Sequence, residues 1–174
     1  MSLLSDHDLY LFNEGSHLRL YERLGAHPQV VDGTDGTNFA VWAPNAERVY
    51  VMGAFNGWNR SSHELHPCGQ SGIWEAFVPH VGNGQAYKYH VVSRYNSYKV
   101  DKADPFSFHA ETPPHTASIV WTLDYDWHDE AWLAERGARN ALKAPMTIYE
   151  VHLGSWRRVP EDRNRSMSYR EIAR

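Results

Sequence analysis

The chain has 174 residues, with 17 Lys and Arg against 21 Asp and Glu, a formal net charge of -4 and a pI near 6.2. That length suits one ordinary domain with extensions. The absence of a basic stripe argues against a nucleic-acid partner. A single cysteine, Cys68, forbids an internal disulfide framework and suits a reducing compartment. Met1 to Tyr10 lacks the basic and apolar regions of a secretory signal, and no stretch approaches the roughly 20 apolar residues of a membrane span. A soluble, cytoplasmic protein with no membrane partner is expected.

Ser5 to Asn13 reads as a short helix, capped by Ser5 or Asp6 and ended at Gly15, with Leu9 and Phe12 on one face. His17 to Gly25 is a polar connection, and Asp32-Gly33-Thr34-Asp35-Gly36 is a turn cluster. The period then changes to two. Strands are expected at Thr37–Ala43, with Phe39 and Val41 on one face, and at Arg48–Gly53, with Val49 and Val51 together. A loop from Phe55 to Pro67 follows, then a strand at Ile73–Val78 and a turn at Gly82-Asn83-Gly84. Ala86–Arg94 is a long strand with Tyr87, Tyr89 and Val91 on one face and Lys88, His90 and Val92 on the other. A short return at Ser97–Val100 ends at Asp104-Pro105, and Ser118–Thr122 is the last strand of the block. Six or so short strands between turn signals give an antiparallel β-sandwich over 25–125.

Beyond it, Asp126 and Asp129 open a helix over Ala131–Arg136, with Trp132 as its apolar anchor and Gly137 as its stop. After a linker, Met146–Leu153 is an apolar strand, and Ser168 starts a second helix carrying Tyr169 and Ile172. The expected organisation is a lead-in over 1–24, the sandwich over 25–125, a helical linker over 126–145 and a new domain begun over 146–174.

Chemistry is harder to place. The eleven His are scattered without metal-ligand spacing, and one cysteine builds no zinc ribbon, so no metal or cofactor is expected. There is no Gly-x-Ser-x-Gly elbow and no phosphate loop. Glycoside chemistry needs two carboxyl groups across a cleft. Nothing in the spacing of Asp101, Asp104 and Glu150 supplies them, and these read as solvated or turn-capping acids.

Aromatic content is the unusual feature, with seven Trp and ten Tyr. In Gly53-Ala54-Phe55-Asn56-Gly57-Trp58-Asn59, Phe55 anchors the loop inward and Trp58 stands on a polar bend between Asn residues. An indole so placed is a platform for the C–H face of a sugar, and Lys88 is a donor to its hydroxyls. The alternatives are a Trp folded back on the sandwich and a Lys on a solvated face.

Asn38 to Ala46, Val49 to Trp58, Tyr87-Lys88-Tyr89 and Asp104-Pro105 resemble the glycogen-binding module of α-amylase-superfamily enzymes, which is an immunoglobulin-like sandwich. Ile148 to Arg158 resembles the first strand of the (β/α)8 barrel of bacterial glycogen branching enzymes, and Gly15 to Tyr21 with Leu24 to His27 resembles their lead-in. The resemblance implies an all-β module with short flanking helices, followed by the first strand of a truncated barrel. It implies α-glucan, either glycogen or maltooligosaccharides, as the partner. The activity it implies cleaves an α-1,4 glucan and transfers the segment to a 6-hydroxyl through a covalent intermediate.

No position in the 174 residues matches that family's catalytic carboxylates, and a barrel needs about 250 residues. This chain alone is therefore expected to be inactive, its module binding glucan or packing on the catalytic barrel as a spacer. For binding, the resemblance maps Trp58 and Lys88 onto the module's platform and donor. The second platform Trp before Asp-Pro and the last-strand Asn are missing, leaving Tyr98 as the substitute platform.

Overall fold

The computed structural model describes residues 2–174 and divides into two units, Met1–Tyr125 and Asp126–Arg174. The first begins with helix α1, Asp6–Glu14. Ser5 caps it as expected. The Asp8 N–H donates to Ser5 Oγ at 3.1 Å and the Ser5 N–H returns to Asp8 Oδ2 at 2.9 Å, which satisfies two end groups at once. The Gly15 N–H closes the far end on the carbonyls of Leu11 and Phe12.

Nine strands follow: β1 Gly25–Val31, β2 Thr34–Trp42, β3 Ala46–Gly53, β4 His66–Pro67, β5 Ile73–Pro79, β6 Ala86–Ser93, β7 Lys99–Lys102, β8 His109–Ala110 and β9 Ser118–Ile119. All pairings are antiparallel. One sheet runs β1-β2-β5-β4. The other runs β3-β6-β9-β8, with β7 also on β6. Sequence alternation does not announce β1, which contains Pro28. Its place at the sheet edge is what makes a residue without an N–H tolerable there. The turn cluster is shorter than expected. Asp32 and Gly33 both take positive φ, 49° and 77°, as a two-residue hairpin turn requires, so Thr34–Gly36 joins β2. The segment around Gly82-Asn83-Gly84 carries the chain from one sheet to the other, since β5 and β6 do not pair.

Alternation sets the inner faces. Phe39 and Val41 of β2, Trp74 and Val78 of β5, Val49 and Val51 of β3, and Tyr87 and Tyr89 of β6 form one core with Val120. Phe39 and Tyr87 meet edge to face at 5.0 Å between ring centres. Each buried aromatic contributes about 2–3 kcal/mol by area. The polar tips need an acceptor, and Asp104 provides it. The hydroxyls of Tyr87 and Tyr89 donate to its Oδ2 at 2.7 and 3.1 Å, and the Phe106 N–H donates to Oδ1 at 2.8 Å. Burial pushes the Asp104 carboxyl up, only partly offset by these donors. A second, smaller core lies on the outer face of the first sheet. There Ala40 and Ile73 meet Leu4, Leu24, Leu9 and Phe12. Asp8 locks this lead-in, with His17 Nε2 at 2.9 Å and Arg23 Nε at 3.1 Å. Burial alone would raise its carboxyl, but the bonds from Ser5, His17 and Arg23 bring it well below the usual range.

The second unit departs from the sequence expectation in three places. Helix α2, Glu130–Arg139, runs through Gly137 and ends at Asn140, whose N–H donates to the Arg136 carbonyl at 2.8 Å. One glycine costs a helix about 1 kcal/mol and does not stop it when good formers follow. Trp132 does not anchor the helix. It is half exposed beneath the Arg136 guanidinium, 5.6 Å from its ring centre. Most importantly, the barrel strand expected over 146–153 does not form. Residues 145–152 have no regular structure, and helix α3 occupies Leu153–Trp156. An alternating segment is a strand only when another strand takes its N–H and C=O groups, and this one has no ladder. A two-residue pair of strands, β10 Arg158–Val159 and β11 Arg165–Ser166, and helix α4, Tyr169–Ile172, complete the unit. Ser168 caps α4 reciprocally with Glu171, as its sequence position implies.

Candidate functional site

The candidate site lies where β3 ends and β6 begins. After Gly53 the chain makes one 3-10 turn, Ala54–Asn56, then bends at Gly57 with φ +63° and at Trp58 with φ +59°. Gly57 accepts such a conformation freely. A tryptophan does so at a cost of about 1–2 kcal/mol. The strain is held in place by neighbours. The Trp58 N–H donates to the Gly53 carbonyl at 2.8 Å. Asn56 Oδ1 accepts from the Gly53 N–H at 3.0 Å, and its Nδ2 donates to the Val51 carbonyl at 3.1 Å. Asn59 Oδ1 accepts from Ser61 at 2.9 Å. Both flanking asparagines therefore shape the loop through their own bonds. Phe55 packs on the core beside Phe39, the inward anchor expected of it. Trp58 is left 40% exposed.

Register brings Lys88 to the same end. Lys88 faces Met52 and Tyr87 faces Gly53, so the Trp58 loop starts one residue along the ladder from Lys88. Lys88 stands on the outer face of its sheet, and its Nζ donates to Thr116 Oγ1 at 2.7 Å. Tyr98 is placed elsewhere. It is well exposed, in the turn after β6, and its carbonyl accepts from the Ser93 N–H. Five residues separate Ser93 from Lys88, roughly 17 Å along a strand. The ladder thus places the start of the Trp58 loop and Lys88 at one end of the sheet and leaves Tyr98 at the other.

Sequence reasoning missed the residues that brace this loop. Arg60 extends from it to β7 and grips Asp101, with Nε 3.1 Å from both carboxylate oxygens and Nη2 2.6 Å from Oδ2. Asp101 also takes His90 Nδ1 at 2.7 Å, directly opposite it on β6. The Arg60 guanidinium first, and His90 with it, hold the Asp101 carboxyl down at about 2. Asp101 is not a solvated acid. Only the pairing of β6 with β7 reveals its role, because 41 positions separate it from Arg60 in the chain. Asp104 is likewise engaged, by the two tyrosines, and Glu150 is exposed. Among the described residues no group of three or more His, Cys, Asp or Glu could hold a metal ion. No helix of these residues is long and apolar enough to cross a membrane.

Residues 23–107 match the family described as carbohydrate-binding module 48, isoamylase N-terminal domain. The match falls on the sandwich. The whole chain is similar to the N-terminal part of 1,4-alpha-glucan branching enzymes. That of Albidiferax ferrireducens is 54% identical over 97% of this chain and 26% of its own length. That of Paramagnetospirillum magneticum is 52% identical over 98% and 23%, and that of Aquifex aeolicus 48% over 99% and 27%. The chain thus spans about a quarter of the length of these curated relatives. Among solved structures, apo pullulanase from Klebsiella pneumoniae is 24% identical over 59% of this chain and 11% of its own, with a TM-score of 0.47.

Proposed function

We propose that this chain is the N-terminal portion of a 1,4-alpha-glucan branching enzyme and that its carbohydrate-binding module 48 holds α-glucan at the Trp58–Lys88 end of the second sheet. The observation that carries the binding reading is Trp58: an exposed indole held at positive φ by a braced loop. Indole faces stack on the C–H faces of pyranose rings, and the Lys88 ammonium is within reach of the same end of the ladder to donate to hydroxyls. Tyr98 contacts the glucan only when a long chain follows the sheet.

The whole enzyme cleaves an α-1,4 linkage and transfers the segment to a 6-hydroxyl, forming an α-1,6 branch. These 174 residues bring glucan and supply no catalytic carboxylate, so the chain alone is inactive. It needs no cofactor and works in the cytoplasm. In the whole enzyme the module packs on the catalytic barrel. A second reading, that the sandwich is a spacer binding no sugar, is favoured by the Lys88 bond to Thr116, which occupies the proposed donor.

Co-sedimentation with glycogen separates the two. The wild-type chain is expected to sediment, to be released by maltoheptaose, and to lose roughly tenfold or more in affinity as Trp58→Ala, the loss of about 1.4 kcal/mol of stacking. No sedimentation of the wild type leaves the spacer.

A further inference from the structure

The loop that carries Trp58 is closed by a histidine. The Tyr50–Glu64 bridge sets His63 beside Val51, whose N–H donates to the His63 carbonyl at 2.9 Å. The half-buried His63 ring meets Phe55 edge to face at 5.7 Å between ring centres. Its Nδ1 lies 3.0 Å from Asn56 Nδ2 and 2.9 Å from Ser62 Oγ. The backbone decides which partner donates. Asn56 Oδ1 accepts from the Gly53 N–H and Nδ2 donates to the Val51 carbonyl. Turning this amide over would set N–H against N–H at one end and oxygen against oxygen at the other. The second Nδ2 hydrogen is shared between His63 Nδ1 and Ser62 Oγ, the latter at 3.1 Å. His63 Nδ1 is therefore the acceptor, which it can be only as a bare nitrogen, with the ring proton on Nε2.

A proton on Nδ1 reverses this arrangement. Two donors then face each other across 3.0 Å, and the new N–H turns to Ser62 Oγ. Asn56 loses a partner, and Asn56 is what ties Gly53 and Val51 to the bend where Gly57 and Trp58 sit at positive φ. Among the described residues the histidines paired with a carboxylate are His17, His90 and His128, so no ion pair compensates at His63. The charged and titratable groups around it are Glu64 and Arg60 on its own loop, Tyr50 and Arg48 on β3 and, through Arg60, Asp101 of β7 and His90 of β6. Glu64 alternates with His63 along the chain, and its charge acts on Arg48. His90 has the opposite sign. Its Nδ1 sits on Asp101 Oδ1, so a proton there strengthens the brace, and Asp101 stays charged because its carboxyl is held at about 2. We propose that His63 is a positioning residue whose unprotonated Nδ1 locks Asn56, and with it the Trp58 loop. The neutral ring makes the bond, so the lock is complete above the pH range where a histidine titrates, about 6.5, and is lost as pH falls through it. Its consequence for glucan rests on the reading of Trp58 as the platform: the hold weakens in mild acid.

NMR of the isotope-labelled 174-residue chain, titrated from about pH 8 to about pH 5, reads the lock without sugar. The Trp58 indole and the amides of 54–62 should shift along one curve that shares the midpoint of the His63 ring resonances. His63→Asn sets an amide oxygen where Nδ1 stood, an acceptor that takes up no proton in this range. Its loop resonances should match those of the wild type at high pH and stay flat as pH falls. Loop resonances that stay flat in the wild type, or that move as much in a folded His63→Asn chain, overturn the proposal. Should His63→Asn not fold, the wild type decides: a loop midpoint that follows the His90 ring and not the His63 ring overturns it equally. Co-sedimentation with glycogen reads the consequence. The wild type should bind roughly threefold to tenfold more weakly at about pH 5 than at about pH 8, as expected for one lost hydrogen bond, and His63→Asn equally at both. A moving loop with equal wild-type affinity at both overturns the step from lock to glucan. No sedimentation at either pH sinks the Trp58 platform and not the lock, which the resonances judge alone.

Discussion

Ala86–Ser93 and residues 147–153 carry the same two-residue alternation and reach different ends. The first becomes β6, the strand with most partners: β3 along one edge, and β9 and β7 sharing the other. Its Tyr87 and Tyr89 are fully buried. The second forms no ladder, and its Ile148 and Tyr149 are 82% and 75% exposed. Alternation therefore selects which residues share a face, while the backbone's need for partners decides whether a strand exists at all. Apolar side chains contribute only once the ladder fixes them against another layer.

The comparison is broken most directly by truncating one side chain in each segment. Tyr87→Ala should lose about 3–5 kcal/mol of stability in denaturant titration, for a cavity at the centre of the sandwich. Equal losses from Tyr87→Ala and a substitution in 147–153 would contradict it. Asp104→Ala comes next, at about 2–3 kcal/mol, because two buried tyrosine hydroxyls lose their acceptor. Asp101→Asn should lose about 1 kcal/mol, since Arg60 is largely exposed and water screens its charge. Ile148→Ala closes the series, within about 0.5 kcal/mol of the wild type.

The two aspartates also set opposite pH dependences. The Asp101 carboxyl is lowered from 3.8 to about 2, so its stabilisation is complete above pH 3.8 and is lost as pH falls toward 2. Acid unfolding of Asp101→Asn should lack that loss. The Asp104 carboxyl is raised above 3.8 by burial, so its contribution is greatest below 3.8 and declines as pH rises through the raised value. Asp104→Asn, which carries no such proton, should flatten that decline when stability is followed upward from pH 4.

Much of the sandwich was legible in the sequence because its strands follow strict alternation between Gly, Pro and Asn turns. Phe39, Val41, Val49, Val51, Tyr87 and Tyr89 could be assigned to one interior from period alone. The edge strand β1 could not, since Pro28 and the polar Gln29 hide its period. Of the site, the exposure of Trp58 and the inward anchor Phe55 were readable from the loop's composition. The Arg60–Asp101–His90 brace was not, because it depends on which strands pair and in which register, and that is not written in local spacing. The strand expected over 146–153 failed for the same reason: periodicity names a face and is silent about the partner.

Amide hydrogen exchange of the 174-residue chain, with and without maltoheptaose, tests the central claim that the braced loop of the sandwich holds glucan. Without sugar, β6 should be protected close to the global limit and 145–152 hardly at all. With sugar, protection should rise at 54–62 and at the start of β6, and remain unchanged across 126–174. Protection gained in 145–158, with none in the Trp58 loop, would contradict it.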